Sequence, residues 1–158
     1  DDTFLFDQGP TRGLGKIQFH DYQPAYDAFD VPNVQIFKEQ IGTLKAMLMT
    51  AQPTPEQQRD TDFLLNVGEM FALVVYGQLI IENAKIYGVS DDLVDQIFDC
   101  LVRDFSQTAV ALLGKARTTA AQAEQCRAMI RRPAVDQERF QRVWEETHAL
   151  KDAYEMSA

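Results

Sequence analysis

The stretch FLLNVGEMFALVVYGQLIIENAKIY, residues 63–87, decides the fold of this chain. Its apolar residues fall on almost every side of a helical projection: Phe63, Leu64, Leu65, Val67, Met70, Phe71, Leu73, Val74, Val75, Leu79, Ile80 and Ile81. A helix that is apolar all round is buried on all sides. We therefore expect other helices to surround this one, in an all-α bundle of about five helices around a buried central helix.

The uncharged part of this stretch is too short for a membrane span. It covers residues 70–81, is interrupted by Gln78 and is bounded by Glu69 and Glu82. A spanning helix needs about 20 predominantly apolar residues. We therefore expect a core helix and no transmembrane segment.

Length and composition are those of one globular domain. The chain has 158 residues, enough to bury a core, and a net charge of -9. A nucleic-acid-binding surface needs a basic stripe, and none is visible, so we expect no nucleic-acid partner. Cys100 and Cys126 lie outside any CxxC motif, which favours two buried, reduced thiols. Because a signal peptide is not indicated either, we expect a cytoplasmic protein.

Cap residues and apolar spacing divide the chain into helices. Asn33 is the predicted cap of a first helix over residues 34–50. A capping box of Thr54 and Gln57 predicts that the central helix begins at Pro55, and Gly88 predicts its end after residue 87. Within it, Gly68 and the small residue one turn later, Ala72, are expected to permit close helix approach.

Three further helices follow the central one. Ser90 is the predicted cap of an amphipathic helix ending near residue 113, and residues 119–132 form a shorter helix stopped by Pro133. Asp136 is the predicted cap of the last helix. The expected inner face of that helix comprises Phe140, Val143, Trp144, Thr147 and Leu150.

Residues 1–32 lack a helical period and are predicted to form an irregular segment preceding the bundle of residues 33–158. A short apolar run at residues 4–6 and an alternating polar and apolar stretch at residues 16–19 flank a turn-rich loop and permit a small hairpin. Aromatic residues are frequent here, so we expect the segment to lie against a neighbouring surface. Since the chain opens on Asp1 with apolar residues close behind, we interpret it as the C-terminal part of a longer polypeptide.

The glycine-rich loop of residues 9–16 fails both phosphate-binding motifs. Pro10 occupies the place of the first P-loop glycine, and Ile17 replaces the hydroxyl residue. The dinucleotide pattern fails at Gln18, where a third glycine is required. We therefore predict no cofactor-binding residue in this chain.

Metal and catalytic patterns are also incomplete. Di-metal carboxylate bundles use two Glu-x-x-His pairs and two further glutamates. Only Glu145 and His148 form such a pair; His20 has no matching glutamate, and Glu69 and Glu82 do not complete a site. We expect Asn66, Glu69 and Gln78 to be satisfied structurally or exposed. Ser90 and Ser106 have no nucleophile elbow. We predict no catalytic or metal-binding residue.

Three stretches carry a resemblance to a known family. They are FLFDQGP at residues 4–10, DDLVDQIFDCLVRDF at residues 91–105 and RPAVDQERFQRVWE at residues 132–145, the last continuing to AYEM at residues 153–156. Together they resemble the extreme C-terminal helical region of bacterial acyl-CoA dehydrogenase-like flavoproteins. The resemblance touches most of the chain and includes no catalytic motif.

The resemblance implies a function for the intact enzyme rather than for this segment. Acyl-CoA dehydrogenases remove hydrogens from Cα and Cβ of acyl-CoA thioesters in fatty acid metabolism; a carboxylate takes the α-proton and FAD accepts the β-hydride. The chain would be a non-catalytic helical extension that contacts the remainder of its own polypeptide or a second subunit. FAD and acyl-CoA would bind only in the intact enzyme. The alternative is a free-standing all-α protein-interaction module without enzymatic activity.

Overall fold

A computed structural model describes residues 21–153 and shows, over that range, an all-α chain without strands. The predicted fold class is confirmed. The elements are α1 (Gln23–Tyr26), α2 (Pro32–Thr50), a 3-10 turn (Gln57–Arg59), α3 (Thr61–Tyr87), α4 (Asp91–Leu113), α5 (Ala120–Met129) and α6 (Gln137–His148).

Helix α4 lies at the centre of the bundle, because it packs against α2, α3, α5 and α6. Its apolar residues form two adjacent rows along the helix, one with Leu101 and Phe105 and one with Val94, Phe98 and Val102, so it meets neighbours on several sides. Val94, Phe98, Val102 and Phe105 are fully buried. The predicted bundle around a central helix is therefore confirmed. The centre is the amphipathic helix after Ser90, whereas the sequence pointed to residues 63–87.

Among residues 21–153, helix α3 is covered on one side only, so the prediction that it is buried all round is wrong. Its buried residues recur at alternating steps of four and three, the spacing of one helix face: Phe63, Val67, Met70, Val74, Gly77, Ile81 and Ala84. This face packs mainly on α1, the 3-10 turn and α4. The remaining apolar residues of α3 face away from these neighbours.

The start of α3 differs from the prediction because a second cap intervenes. The capping box forms as expected, with the Thr54 backbone N–H 2.9 Å from Gln57 Oε1, but it closes only the 3-10 turn. Asp60 then has extended backbone, and its carboxylate accepts the N–H of Phe63. Helix α3 consequently begins at Thr61 and ends, as predicted, before left-handed Gly88.

Two predicted caps are confirmed and one is wrong. Ser90 accepts the N–H of Leu93, and Asp136 accepts that of Glu138. Asn33 does not cap α2, which begins at Pro32; its buried side chain donates to the Asp95 carbonyl of α4 and so links two helices. An asparagine side chain can either cap a helix or hydrogen-bond to another helix, and tertiary packing decides which of the two occurs.

The predicted inner face of the last helix is largely wrong. Helix α6 buries Arg139 and Val143 against α4, whereas Phe140 and Trp144 are about half exposed. Thr147 and Leu150 are exposed as well. Arg139 forms an ion pair with Asp95 of α4, so the Arg139 side of α6 faces α4. Phe140 and Trp144 consequently face outward.

The described end of the predicted irregular segment contains a helical turn. Asp21 accepts the N–H of Gln23 and starts α1. Tyr26 is fully buried, and its hydroxyl donates to the carbonyl of Val74 over 2.7 Å. This short element thereby ties the entering chain to α3. The predicted hairpin of residues 4–19 lies outside the described residues.

Close helix approach occurs at Gly77 rather than at Gly68. A Cβ atom built on Gly77 would lie 2.5 Å from the Tyr26 hydroxyl oxygen and 3.2 Å from Phe37 Cε1. A Cβ built on Gly68 would meet no atom within 4 Å. The expectation for Gly68 and Ala72 is therefore wrong, because both lie on the exposed side of α3.

These two glycines provide a matched test of the packing. We expect Gly77→Ala to lower the free energy of unfolding by about 1–3 kcal/mol, since buried Tyr26 must move and strain its hydrogen bond. Gly68→Ala should instead stabilise the chain by up to about 1 kcal/mol through helix propensity. Denaturant unfolding of both variants measures the difference, and equal effects would contradict this packing.

Candidate functional site

The surface that stands out is the uncovered side of α3. We call it the outer face of α3 and define it by seven large residues with exposures from 41% at Val75 to 77% at Tyr87. They are Leu64, Leu65, Val75, Tyr76, Leu79, Ile86 and Tyr87. This exposed face was not predicted from the sequence. The apolar residues on every side of the helical projection indicated it, but the prediction drawn from them was burial on all sides.

An apolar groove of about 880 Å³ lies between α2 and α3, along one edge of the outer face. Helix α2 lines it with Leu44, Lys45, Leu48 and Met49, and α3 lines it with Phe71, Val75, Gln78 and Leu79. Asp21 and Tyr22 complete the lining where the chain enters the described structure. The volume lies within the range of ligand and peptide sites, and the lining suits apolar side chains.

Polar groups of α3 lie at the rim of this groove or in solvent. Gln78 donates to Glu82 Oε1 over 2.8 Å, and both line the groove. Glu69 is exposed and Asn66 is partly buried. The expectation that such residues are exposed or satisfied by neighbours is confirmed for Gln78 and Glu69. They form no polar pocket inside the bundle.

A second apolar patch lies on and around α6. It comprises Val135, Phe140, Trp144 and Leu150, all at least half exposed. Trp144 stacks on His148 with ring centroids 6.0 Å apart. The Trp144 ring thus covers one face of the His148 imidazole, the histidine of the Glu-x-x-His pair. This side of α6 therefore presents an aromatic surface.

The described residues bring no metal-ligand cluster together. Among residues 21–153, no group of three or more His, Cys, Asp or Glu side chains is arranged to hold a metal ion. Glu145 accepts from Gln141 on exposed α6, apart from Glu69 and Glu82 on α3. His20 and the glycine-rich loop of residues 9–16 lie outside the described part of the chain.

Three buried side chains form a charged link between helices. Asp95 Oδ1 accepts the backbone N–H of Asn33 over 2.7 Å, and Asp95 Oδ2 pairs with the Arg139 guanidinium. Arg139 also donates to the Ala134 carbonyl over 3.0 Å. Burial raises the pKa of Asp95, while the Asn33 N–H and the Arg139 charge oppose that rise. None of the three lines the groove, so the link is structural.

Ser106 is likewise committed to structure. Its hydroxyl oxygen accepts from Gln40 and from the Arg131 backbone N–H, at 3.0 and 2.9 Å. It also lies 2.8 Å from the Val102 carbonyl, to which it can donate. A serine held in this way joins α2, α4 and the segment after α5, and no base approaches it among these contacts.

The two cysteines differ in environment. Cys126 is buried, and desolvation raises the pKa of its thiol. Cys100 is exposed, with Arg103 Nη2 at 3.7 Å, so the prediction of two buried thiols is wrong for this residue. Cys100 faces outward because α4 turns its other sides to four neighbouring helices.

Helix α3 is long and apolar enough, by length and composition alone, to cross a membrane. Core helices of soluble proteins pass the same criterion. In α3, 28% of the most apolar 18-residue stretch is buried. The absence of a transmembrane segment therefore stays a prediction.

Comparison of this chain with protein-family models, with curated proteins and with solved structures yields no match. The resemblance to the C-terminal region of acyl-CoA dehydrogenases therefore rests on the quoted residues alone. For function, the structure contributes an all-α bundle whose long third helix leaves one apolar face uncovered.

Proposed function

We propose that this chain is a non-catalytic helical packing domain that docks through the outer face of α3. The observation that carries the proposal is the exposure of seven large apolar residues along one helix. Contiguous apolar patches on soluble proteins mark interaction surfaces. A helix side of this kind fits a flat or grooved apolar surface of a partner.

The proposed partner is the body of an FAD-dependent acyl-CoA dehydrogenase in the bacterial cytoplasm, of which this chain would be the C-terminal extension. The resemblance of residues 4–10, 91–105 and 132–145 supports that choice. On this proposal the enzyme body binds FAD and acyl-CoA and carries out α,β-dehydrogenation. The extension contributes packing or subunit contact.

The energetics favour a broad contact over a single anchor. Covering one exposed Leu or Ile fully is worth about 1.5–3 kcal/mol. Association itself costs about 4–15 kcal/mol in lost freedom, so several such residues must be covered together. Glu69 and Glu82 are exposed on the same helix, so a partner with basic residues around its apolar patch fits best.

Binding in trans tests the proposal. The flavoprotein body is mixed with the full chain, and affinity is measured for the Leu65→Asp and Ile86→Asp variants. Because central apolar anchors dominate interfaces, we expect each variant to lose on the order of 30-fold or more in affinity. The matched control is Val110→Asp on α4, a similarly exposed apolar site outside the outer face, which should bind normally.

Three results would overturn this function. Equal affinity of all variants would exclude the outer face of α3 as the docking surface. Stoichiometric flavin absorbance in the isolated chain, or acyl-CoA-dependent dye reduction by it, would show that the segment itself is catalytic. Failure to bind any flavoprotein body, with binding to another protein through the same face, would favour the free-standing interaction module.

A further inference from the structure

We propose that the groove between α2 and α3 is the docking site for the chain's own first 20 residues. The groove shares Val75 and Leu79 with the outer face of α3, but the inference does not depend on the proposed function. The groove is lined on both sides by apolar residues, including Leu48 and Met49 on α2 and Leu79 on α3. An occupant therefore needs large apolar side chains.

The point at which the chain enters favours an intramolecular occupant. Asp21 and Tyr22 line the groove, so residue 20 is attached at its rim. The α2 lining extends from Ile41 to Met49, which corresponds to about 12 Å of helix. Six extended residues span up to about 20 Å, so residues 15–20 alone can follow the full length. Tethering also gives this segment a high effective concentration at the groove.

The composition of the first 20 residues matches the groove. They contain Phe4, Leu5, Phe6, Leu14, Ile17 and Phe19. In extended chain Ile17 and Phe19 point to the same side, because side chains alternate with a period of two. Lys16 adjoins Ile17 and carries the charge opposite to that of Glu82, which lines the groove.

A second copy of the chain is a poorer occupant. Glu69 and Glu82 are both exposed on α3. Two chains that packed α3 against α3 would bring carboxylates of both copies into one interface, and like charges there oppose association. Residues 8–20, the part of the segment nearest the groove, contain Arg12 and Lys16 and no carboxylate side chain, so they carry the complementary sign.

A double-mutant cycle in the full chain tests the inference. Ile17→Ala and Met49→Ala are made singly and together, and the equilibrium constant of unfolding is measured by denaturant titration. If Ile17 packs in the groove, the effect of Ile17→Ala should shrink by at least roughly twofold when Met49 is already alanine. The same should hold for Phe19→Ala.

The matched control pairs Ile17→Ala with Leu65→Ala. Leu65 and Met49 are both 68% exposed, but Leu65 does not line the groove, so its effect should add to that of Ile17. Additivity in the Met49 cycle, or equal coupling to Leu65, would overturn the inference. Coupling that appears only at concentrations where sedimentation shows a dimer would assign the groove to a second copy instead, which also overturns it.

Discussion

Replacing Arg139 by methionine should lower the free energy of unfolding by about 3–5 kcal/mol, because it leaves a buried carboxylate without its partner. The side chains of Arg139 and Asp95 are 5% and 3% exposed. The matched control is Arg142→Met, which removes an ion pair to Asp92 whose side chains are 53% and 35% exposed. Exposed pairs contribute at most about 1 kcal/mol, so this variant should unfold almost normally.

The deficit of Arg139→Met should depend on pH with a definite sign. Burial already raises the folded-state pKa of Asp95 above its unfolded value, and Arg139 opposes the rise. Without Arg139 that pKa rises further, so the folded variant binds a proton more readily than the unfolded chain does. Stability is then gained as pH falls through the folded pKa.

Denaturant unfolding of wild type and variant over a pH series measures this effect. The difference in unfolding free energy between wild type and Arg139→Met should shrink on acidification. The double variant Asp95→Asn with Arg139→Met should recover part of the loss at neutral pH, because no buried charge remains. A deficit that is constant or grows toward acid pH would contradict the buried pair.

Replacing Val74 by aspartate should abolish cooperative folding. Val74 is 8% exposed within the core cluster, and its carbonyl accepts the hydroxyl of buried Tyr26. An unpaired carboxylate there costs several kcal/mol, which is comparable to the total stability of about 5–15 kcal/mol for such a domain. Leu73 is only partly buried, so Leu73→Asp should have the smaller effect.

Ala72→Asp provides the matched control, since Ala72 lies on the same helix and is exposed. Helical circular dichroism and thermal unfolding of the three variants decide the matter. We expect Ala72→Asp to melt as the wild type does and Val74→Asp to show no cooperative transition. Similar melting of both would mean that the covered and uncovered sides of α3 are assigned wrongly.

The ends of the helices were largely readable from sequence because the groups that fix them are close along the chain. Ser90 and Asp136 each accept backbone N–H groups two or three residues ahead. Gly88 alone supplies the left-handed backbone that ends α3. Where a nearer cap competed, as Asp60 did with Thr54, the predicted start of the helix was wrong by six residues, Pro55 instead of Thr61.

The candidate site was not readable in this way. Leu65 and Val67 are both aliphatic residues of one apolar helix, yet Leu65 is 68% exposed and Val67 is 8% exposed. The hydrophobicity of a side chain determines the free energy gained when it is buried, but not which neighbouring element buries it. The sequence therefore indicated that both sides of α3 are apolar. It did not indicate which side packs inside the bundle.

By itself the sequence determined an all-α chain, its main helices and several of their caps, since helical period and capping depend on residues within about four positions of one another. Only the tertiary structure decided that α4 is central, that Tyr26 packs against Gly77, and that Asn33 links α2 to α4. Each depends on residues far apart in the chain. The uncovered face of α3 belongs to this second group, because burial is a property of the assembled helices.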